Sequence, residues 1–182
     1  QLLEWALIPF DIIVKNTDES YPDGLASEEV PVYIAKQKAL AVKQHVREAY
    51  HATHLHQAIV AADTVVVLNN QIIGKPKDRE EAVQILSALS NQKHKVITGV
   101  VILQEDRETA FADTTEVEFN ALTQEQIEFY VDEYKPYDKA GAYAIQEWIG
   151  VTGIKKINGD FYNVMGLPIS RLIQTLQRLN II

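Results

Sequence analysis

The spacing of apolar residues along the chain changes repeatedly between the period of a strand and the period of a helix. Residues 58–68 form an almost continuous apolar, β-branched run, which is typical of a buried strand. Residues 109–119 alternate between apolar and polar positions, which favours a strand with one buried face. Ala35 and Ala39 fall on one face of a helix predicted over residues 31–50. Strands and helices are therefore expected to be interleaved.

Turn residues and capping signals delimit the other elements. Asp78 followed by Glu81 is a capping-box pattern, which opens a helix that continues to about Leu89. Thr123 is expected to cap a further helix. The other predicted elements are strands over residues 10–14, 71–73, 95–103 and 153–157 and helices over residues 123–133 and 167–179. This order gives the class α/β, with a mixed sheet flanked by helices. Because no repeat or linker interrupts the chain, residues 1–182 are expected to form a single domain.

Composition and charge exclude several classes of function. The chain has 182 residues, of which 47% are apolar and 23% are charged, as in an ordinary globular domain. It contains no cysteine, which excludes a disulfide framework, a thiolate metal site and a cysteine nucleophile. The net charge of -8 argues against binding to a nucleic acid polymer, because such binding needs a basic face. Since polar residues interrupt the longest apolar runs, no membrane-spanning segment is predicted.

Asp63 is the first candidate for chemistry, because it interrupts the apolar run of residues 59–68. A carboxylate in a buried strand costs free energy unless it is ion-paired, hydrogen-bonded or bound to a metal. Catalytic groups are common at strand ends in α/β sheets. Two interpretations stay open on these residues: a catalytic carboxylate, or a structural one that caps a turn or pairs with a lysine.

The tripeptide Gly74-Lys75-Pro76 follows a predicted strand and offers a lysine to an anion. Glycine lets the backbone approach a ligand closely, and proline stiffens the loop. Lys75 is therefore suited to neutralise a phosphate, although the loop lacks the glycine-rich run of a P-loop. The alternative is a solvated lysine, which is the commoner state of such residues.

Residues 138–146 (DKAGAYAIQ) combine a charged pair, small residues and an amide. The small residues allow a flat ligand to approach. The Gln146 amide has both a donor and an acceptor, which suits the edge of a pyrimidine base. The structural alternative is a turn that packs tightly against the sheet.

The histidines are interpreted as surface or structural residues rather than as metal ligands. Four of them cluster near the end of the first long helix, but no carboxylate or cysteine pattern around them fits a known metal site. These four are His45, His51, His54 and His56. His94 flanks a strand and is expected to form a strand-end hydrogen bond rather than to act in catalysis.

Several short motifs follow one another along the chain. They are Glu19 after an aspartate, Lys38-Ala39, Ala62-Asp63-Thr64-Val65-Val66, Ile73-Gly74-Lys75-Pro76, His94-x-Val96-x-Thr98-Gly99-Val100, Thr115-x-Val117-x-Phe119, residues 138–146 and Asn163-Val164-x-Gly166-Leu167-Pro168. In this order they closely resemble the Maf family, over nearly the whole chain. Maf proteins are nucleotide pyrophosphatases that were once described as septum-formation inhibitors. The resemblance implies a fold like that of the inosine triphosphate pyrophosphatases, with a mixed sheet, helices and two lobes around a cleft.

The resemblance also implies a substrate. Members with Asp-Thr at the strand motif and Ala-Tyr-x-Ile-Gln later in the chain look like the dTTP/UTP pyrophosphatases. Thr64 and Gln146 therefore imply hydrolysis of dTTP and UTP, and modified pyrimidine triphosphates are further candidate substrates. One alternative is a 7-methyl-GTP pyrophosphatase, although that group has other residues at these two places. Others are a non-catalytic nucleotide sensor that regulates cell division and a structural interaction module.

The same resemblance implies the roles of four charged residues. Asp63 would be the proton acceptor that deprotonates the attacking water, and Lys38 and Lys75 would contact the phosphates. Glu19 is expected near a divalent metal cation, Mg²⁺ or Mn²⁺, which bridges phosphate oxygens and polarises phosphorus. Asp63 as a metal ligand is the alternative that stays open. The products would be a nucleoside monophosphate and pyrophosphate.

The resemblance finally implies the context in which the chain works. The family opens with a strand and a Ser-x-Ser-Pro-Arg-Arg loop, so a segment of this kind is expected before Gln1. A homodimer is expected, with a nucleoside triphosphate as ligand rather than a nucleic acid polymer or a membrane. The lack of cysteine and of an export signal is compatible with the cytoplasm.

Overall fold

The structure is a computed structural model that describes residues 1–50 and 57–182. Its helices are α1 (Leu2–Trp5), α2 (Glu29–Tyr50), α3 (Arg79–Leu89), α4 (Gln124–Tyr134), α5 (Trp148–Gly153), α6 (Phe161–Val164) and α7 (Ile169–Arg178), with a 3₁₀ turn over Ala140–Ala142. Its strands are β1 (Ile59–Leu68), β2 (Gln71–Ile73), β3 (Lys93–Gln104), β4 (Arg107–Phe119) and β5 (Ile154–Asn158). The predicted α/β class, with a sheet flanked by helices, is confirmed.

The five strands form one sheet in the order β2-β1-β3-β4-β5. The sheet is antiparallel rather than mixed, which corrects that detail of the expectation. For the pairs β1–β2 and β3–β4 the reason lies in the connections. Asn69 and Asn70 join β1 to β2 with φ angles of 50° and 64°, as a tight hairpin turn requires. Glu105, with a φ of 52°, lies in the short connection between β3 and β4. Hairpins pair neighbours antiparallel, whereas parallel neighbours need a long crossover.

Residues 10–14 are not a strand, so that prediction is wrong. Ile12 and Val14 are 78% and 79% exposed. A β-branched run forms a strand where a neighbouring strand satisfies its backbone and a core covers one face. Among the described residues the sheet consists of β1 to β5, and residues 10–14 pair with none of these strands.

The described chain divides into two compact units. The first comprises Gln1–Asp63, Thr98–Asp113 and Gly166–Ile182, and the second comprises Thr64–Ile97 and Thr114–Met165. Two units agree with the two lobes that the resemblance implied. Each unit has its own apolar cluster.

In the first unit the second half of β3 has apolar side chains on both faces. Val100 and Ile102 pack with Leu172 of α7. Val101, which the strand turns to the opposite face, packs with Ala35 of α2. The small residues of α2 thus form the helix face against the strand, as the sequence pattern predicted.

Helix α2 approaches β3 most closely at Gly99. A Cβ atom at this position would lie 2.2 Å from the backbone nitrogen of Val32, far inside van der Waals contact. Only glycine permits this packing, and the packing holds α2 against the strand. The position of α2 matters below because this helix contains Lys38.

In the second unit, helices α3 and α4 cover the core. Leu86 of α3 and Tyr130 of α4 are fully buried and share one cluster with Val96 and Phe119. The predicted caps are confirmed. Asp78 accepts a hydrogen bond from the Glu81 backbone N–H at 2.9 Å. Thr123 and Gln126 complete both bonds of a capping box at the start of α4.

Helix length bears on the prediction that no segment spans a membrane. Helix α2 has 22 residues, but Lys36, Lys38, Lys43 and Arg47 are among them. In the part of the chain that the structure describes, no helix is both long and apolar enough to cross a bilayer.

Candidate active site

Alternation along β1 turns Asp63 toward α2. Ile59 and Ala61 pack in the same apolar cluster as Ala35 and Ala39 of α2. Side chains two residues apart on a strand point to the same face, so Asp63 follows Ala61 toward the helix. The Asp63 side chain is 11% exposed. The pattern that buries β1 thus places one carboxylate against a helix surface.

Lys38 of α2 lies between two carboxylates of the first unit. Its Nζ atom is 2.6 Å from Asp63 Oδ1 and 2.9 Å from Glu19 Oε1. Burial lowers the pKa of Lys38, but hydrogen bonds and Coulomb attraction from Asp63 and Glu19 outweigh this effect. The pKa of Lys38 is therefore raised above its ordinary value. Lys38 is consequently a charged ammonium group at neutral pH.

This contact bears on the two interpretations of Asp63. The structural alternative, an aspartate that pairs with a lysine, is observed directly. The pair is not sealed in the core, because the side chains of Lys38 and Glu19 are 28% and 43% exposed. The ion pair is therefore partly exposed to solvent. The catalytic role of Asp63 stays a prediction.

The loop before α2 presents Glu19 to Lys38 through a local turn. The Asp18 carboxylate accepts hydrogen bonds from the backbone N–H and the hydroxyl of Ser20, at 2.9 and 2.7 Å. These bonds lower the pKa of Asp18. Asp18 thus stabilises an Asx-type turn within the loop, whereas its neighbour Glu19 contacts Lys38 of α2.

The carboxylates around Lys38 fit a hard divalent cation that takes most of its ligands from water and substrate. Among the described residues, no group of three or more His, Cys, Asp or Glu side chains could hold a metal ion. The charged group offers two carboxylates, from Glu19 and Asp63. Mg²⁺ is commonly held by one or two carboxylates together with water and substrate phosphates. The two carboxylates beside Lys38 are of the number and kind in that pattern.

Lys75 lies in the second unit, in the loop that follows β2. The Gly74 carbonyl accepts a hydrogen bond from the Gly141 N–H at 3.1 Å, which ties this loop to the 3₁₀ turn. Lys75 itself is exposed and Pro76 is buried. The pKa of Asp138 is lowered, first by a hydrogen bond from Lys139 and also by Coulomb attraction to Lys75. The structure therefore brings together two of the motifs that the sequence analysis singled out.

Gly141 supports the structural interpretation of the small residues. Its φ of +70° is a conformation that glycine adopts readily. A Cβ atom there would lie 2.8 Å from a methyl group of Val66 in β1. The close approach is thus to the sheet, as the alternative of tight packing predicted.

Gln146 is the third residue of a β-turn over residues 144–147. The Glu147 N–H donates to the Ala144 carbonyl at 3.1 Å and closes the turn. Gln146 is exposed, whereas Ile145 beside it is 4% exposed. The Tyr130 hydroxyl accepts a hydrogen bond from the Ala144 N–H at 3.1 Å and donates one to the Glu147 carboxylate. One buried hydroxyl therefore bridges the first and last residues of the turn.

A second buried hydrogen bond lies just before this turn. The Tyr143 hydroxyl and His94 Nε2 are 2.7 Å apart, and His94 is 2% exposed. Burial lowers the pKa of His94 to about 4, so the ring is neutral at physiological pH. Burial likewise raises the pKa of Tyr143. The expectation of a hydrogen-bonded rather than a catalytic histidine at this position agrees with this geometry.

The remaining sequence-predicted residues are placed as follows. Thr64 is partly buried in β1, directly after Asp63. His45 is half-buried on α2. The predicted surface histidines His51, His54 and His56 lie outside the described residues. Glu19, Lys38 and Asp63 thus meet in the first unit, and Lys75, Thr64 and Gln146 belong to the second.

Tyr130 and Glu147 did not emerge from the sequence. Tyr130 follows an ordinary helical period, so its pattern indicates a core residue and not a hydrogen-bonding one. A buried tyrosine hydroxyl nevertheless needs hydrogen-bond partners, so a tyrosine at a core position indicates a buried hydrogen bond. The sequence contained no indication of which residues those partners would be.

Comparison with known proteins identifies the relatives of this chain. Residues 1–179 match the family model described as Maf-like protein. A protein of Cytophaga hutchinsonii is 50% identical over 179 residues, which cover 98% of this chain and 78% of that protein. A protein of Parabacteroides distasonis is 47% identical over 178 residues, or 97% of this chain and 88% of that protein.

A third relative, from Phocaeicola vulgatus, is 44% identical over 180 residues, which cover 98% of this chain and 90% of that protein. All three relatives are named dTTP/UTP pyrophosphatase. Since the family model and these relatives both match almost every residue, the chain belongs to the Maf family.

Proposed function

We propose that this protein hydrolyses dTTP and UTP to the nucleoside monophosphate and pyrophosphate. The observation that carries the proposal is the contact of Lys38 with both Asp63 and Glu19, at 2.6 and 2.9 Å. The relatives of the chain that are named dTTP/UTP pyrophosphatase support the choice of reaction and substrate. A cation held between two carboxylates at a solvent-accessible place suits a reaction that moves negative charge along a polyphosphate.

Asp63 is the proposed general base. A water oxygen forms a bond to the α-phosphorus, the bond from that phosphorus to the α,β-bridging oxygen breaks, and pyrophosphate leaves. The proton of the attacking water passes to the Asp63 carboxylate. The low exposure of this side chain, 11%, limits its motion and orients it for this task.

The proposed role of Lys38 and Lys75 is to offset charge on the phosphates. Lys38 is suited to it because its raised pKa keeps the ammonium group charged. Lys75 is exposed at the end of a loop that Gly74 anchors by a backbone hydrogen bond. A lysine with an exposed side chain and an anchored backbone can contact a phosphate at little conformational cost.

Glu19 would hold a divalent cation, Mg²⁺ or Mn²⁺, and Asp63 would be a second ligand in the alternative to its role as base. When bound, such an ion supplies Lewis-acid polarisation of a phosphoryl oxygen. With such an ion bound, the charges of the two carboxylates would be balanced, and the Lys38 ammonium group would be available to the phosphates.

Thr64 and Gln146 are the proposed specificity residues. The exposed Gln146 amide offers one donor and one acceptor, which complement the carbonyl oxygen and ring N–H of uracil and thymine. Cytosine presents the reverse order of donor and acceptor, so the amide discriminates against it where the orientation of the amide is fixed. A homodimer in the cytoplasm, where nucleoside triphosphates are available, completes the proposal.

The experiment is a substrate panel. Pyrophosphate release is measured from dTTP, UTP, CTP and 7-methyl-GTP, with and without Mg²⁺ or Mn²⁺. The expected result is metal-dependent release that is fastest from dTTP and UTP. Preference for 7-methyl-GTP would overturn the specificity. If the protein binds a triphosphate without releasing pyrophosphate under any condition, it is a nucleotide sensor instead.

A further inference from the structure

The turn that presents Gln146 is held by a hydroxyl that lies outside the turn. Tyr130 is 0% exposed and lies in the second turn of α4. Its oxygen accepts a hydrogen bond from the Ala144 N–H, and its O–H donates a hydrogen bond to the Glu147 carboxylate. The donor and one acceptor position of the hydroxyl are therefore both used. Burial, together with the hydrogen bond to Glu147, raises the pKa of Tyr130, so the hydroxyl remains protonated.

The neighbours of the turn leave its backbone little freedom. A Cβ atom on Gly150 would lie 1.7 Å from the Ile145 carbonyl oxygen, so the first residues of α5 press directly on the turn. The Glu147 carbonyl accepts the Gly150 N–H at 2.9 Å. Glu147 is also the N-cap residue of α5, directly before Trp148. Contacts with α5 and hydrogen bonds with Tyr130 thus both restrain the turn.

Helix α4 is itself held at both ends, which makes Tyr130 a rigid support. Its first residue follows the Thr123 capping box. Near its end, Asp132 accepts two hydrogen bonds from Arg79 of α3, at 2.6 and 2.8 Å. The ring of Tyr130 stacks on that of Tyr134, with centroids 4.9 Å apart. Movement of the hydroxyl would require movement of the whole helix.

We propose that the Tyr130 hydroxyl is a positioning group for Gln146 and thereby contributes to the choice of nucleobase. The inference deepens the proposed function and rests on it. Gln146 lies one residue from Glu147 and two from Ala144, the two residues that Tyr130 bridges. An amide selects between uracil and cytosine only if its donor and acceptor are held in one place. Tyr130 touches no substrate atom in this arrangement.

The test uses Tyr130→Phe, which removes the hydroxyl and retains the ring. We expect the ratio of kcat/KM for UTP to that for CTP to fall about tenfold, as for the loss of about one hydrogen bond. The KM for UTP should rise more than kcat falls, because the chemical groups are unchanged. Tyr134→Phe is the matched control, since it makes the same change in the adjacent stacked ring. Its ratio should equal that of the unmodified protein.

A double-mutant cycle shows whether Tyr130 acts through Gln146. In a Gln146→Ala background, Tyr130→Phe should change the UTP to CTP ratio by less than about twofold. Glu147→Gln should keep the ratio, since its amide oxygen still accepts from Tyr130, whereas Glu147→Ala should lower it. Glu147→Ala also serves as the test if Tyr130→Phe does not fold. Thermal unfolding monitored by tryptophan fluorescence identifies variants that are folded at the assay temperature.

Two results would overturn the inference and leave the proposed function intact. One is a folded Tyr130→Phe variant with an unchanged ratio. The other is an equal fall of the ratio in the presence and absence of Gln146. Failure of the proposed function has another signature: the unmodified protein releases pyrophosphate from neither UTP nor dTTP, and the inference falls with it.

Discussion

The two units of this protein hold their proposed functional residues by opposite means. In the first unit, Lys38 links Asp63 and Glu19 through ionic contacts at a partly exposed place. In the second unit, Tyr130 links Ala144 and Glu147 through a buried neutral hydroxyl. The first arrangement has charged groups that water and anions can reach. The second has hydrogen bonds with no competing solvent.

The contrast matches the tasks that we propose for the two regions. Charge interacts over several ångströms and tolerates small displacements, so a half-exposed ion pair can serve polyphosphate chemistry. Recognition of a base edge depends on the direction of hydrogen bonds, which a small displacement destroys. Buried hydrogen bonds supply that precision, because breaking one leaves a desolvated polar group without a partner. Four substitutions probe this comparison, in order of decreasing effect.

Asp63→Asn should have the largest effect and act on turnover alone. It removes the proposed base and keeps the shape of the side chain, so kcat should fall about a thousandfold. Pyrophosphate release from UTP measures the loss, and thermal unfolding should show a folded protein. Asp113→Asn is a control in the same unit, with no proposed role in the reaction. Near-normal turnover of Asp63→Asn would remove this residue from the mechanism.

His94 should make the stability of the second unit depend on pH. Burial lowers its pKa to about 4 in the folded protein from an ordinary value of 6.5. Between these values the unfolded chain binds the proton and the folded chain does not. The stabilising contribution is therefore complete above about pH 6.5, falls as the pH decreases, and has lost about 3 kcal/mol near pH 4.

The measurement for His94 is urea unfolding of the unmodified protein and of His94→Gln at several pH values. The difference in unfolding free energy between the two should shrink toward the acid end by the amount given above. Carboxylate titration is common to both proteins and cancels in the difference. A pH-independent difference would show that His94 is not the responsible group.

Lys38→Met should lower kcat/KM about a hundredfold, because charge on the phosphates then lacks a nearby cation. The same variant leaves Glu19 and Asp63 without the cation that lies between them. Lys36→Met is the matched control. Lys36 lies on the same helix and pairs with Glu108 at 3.0 Å, away from the two carboxylates. Equal losses in both variants would mean that general surface charge, and not Lys38, is responsible.

Lys75→Gln should have the smallest effect of the four. The residue is exposed, so unfolding temperature should not change, and the KM for UTP should rise about tenfold through the loss of one phosphate contact. Steady-state kinetics at low and high salt measure this. The effect should be smaller at high salt because ions screen an exposed charge. A loss in kcat with unchanged KM would contradict the assigned role.

Local patterns predicted most of the secondary structure, and the failures share one cause. The caps at Asp78 and Thr123 were predictable because a cap involves only residues three or four apart. The β-branched run of residues 10–14 was wrongly predicted to be a strand. Such a run becomes a strand only where another strand pairs with it, and none of β1 to β5 does so. The antiparallel order of the sheet likewise depends on how separate segments associate.

Among the candidate residues, sequence pattern and family resemblance selected Asp63, Lys38, Glu19, Lys75 and Gln146. Nothing in the periodicity of α2 distinguishes Lys38 from Lys36, and only its contact with two carboxylates does so. The resemblance therefore supplied what residue patterns did not. The partners of Tyr130 could come from neither source.

The amino-acid sequence was enough to establish the α/β class, the caps, the buried strand with its single carboxylate and the family. These depend on short-range periodicity and on motifs that can be read in order. The pairing of Lys38 with Asp63 and Glu19, the antiparallel sheet and the Tyr130 bridge required the folded chain. The contacts of Lys38 with Asp63 and of Tyr130 with the turn join residues 14 to 25 apart in the chain, which meet only when burial brings separate segments together. Packing of the folded chain produces these contacts. The spacing of apolar and polar residues along the sequence does not indicate which distant residues will meet.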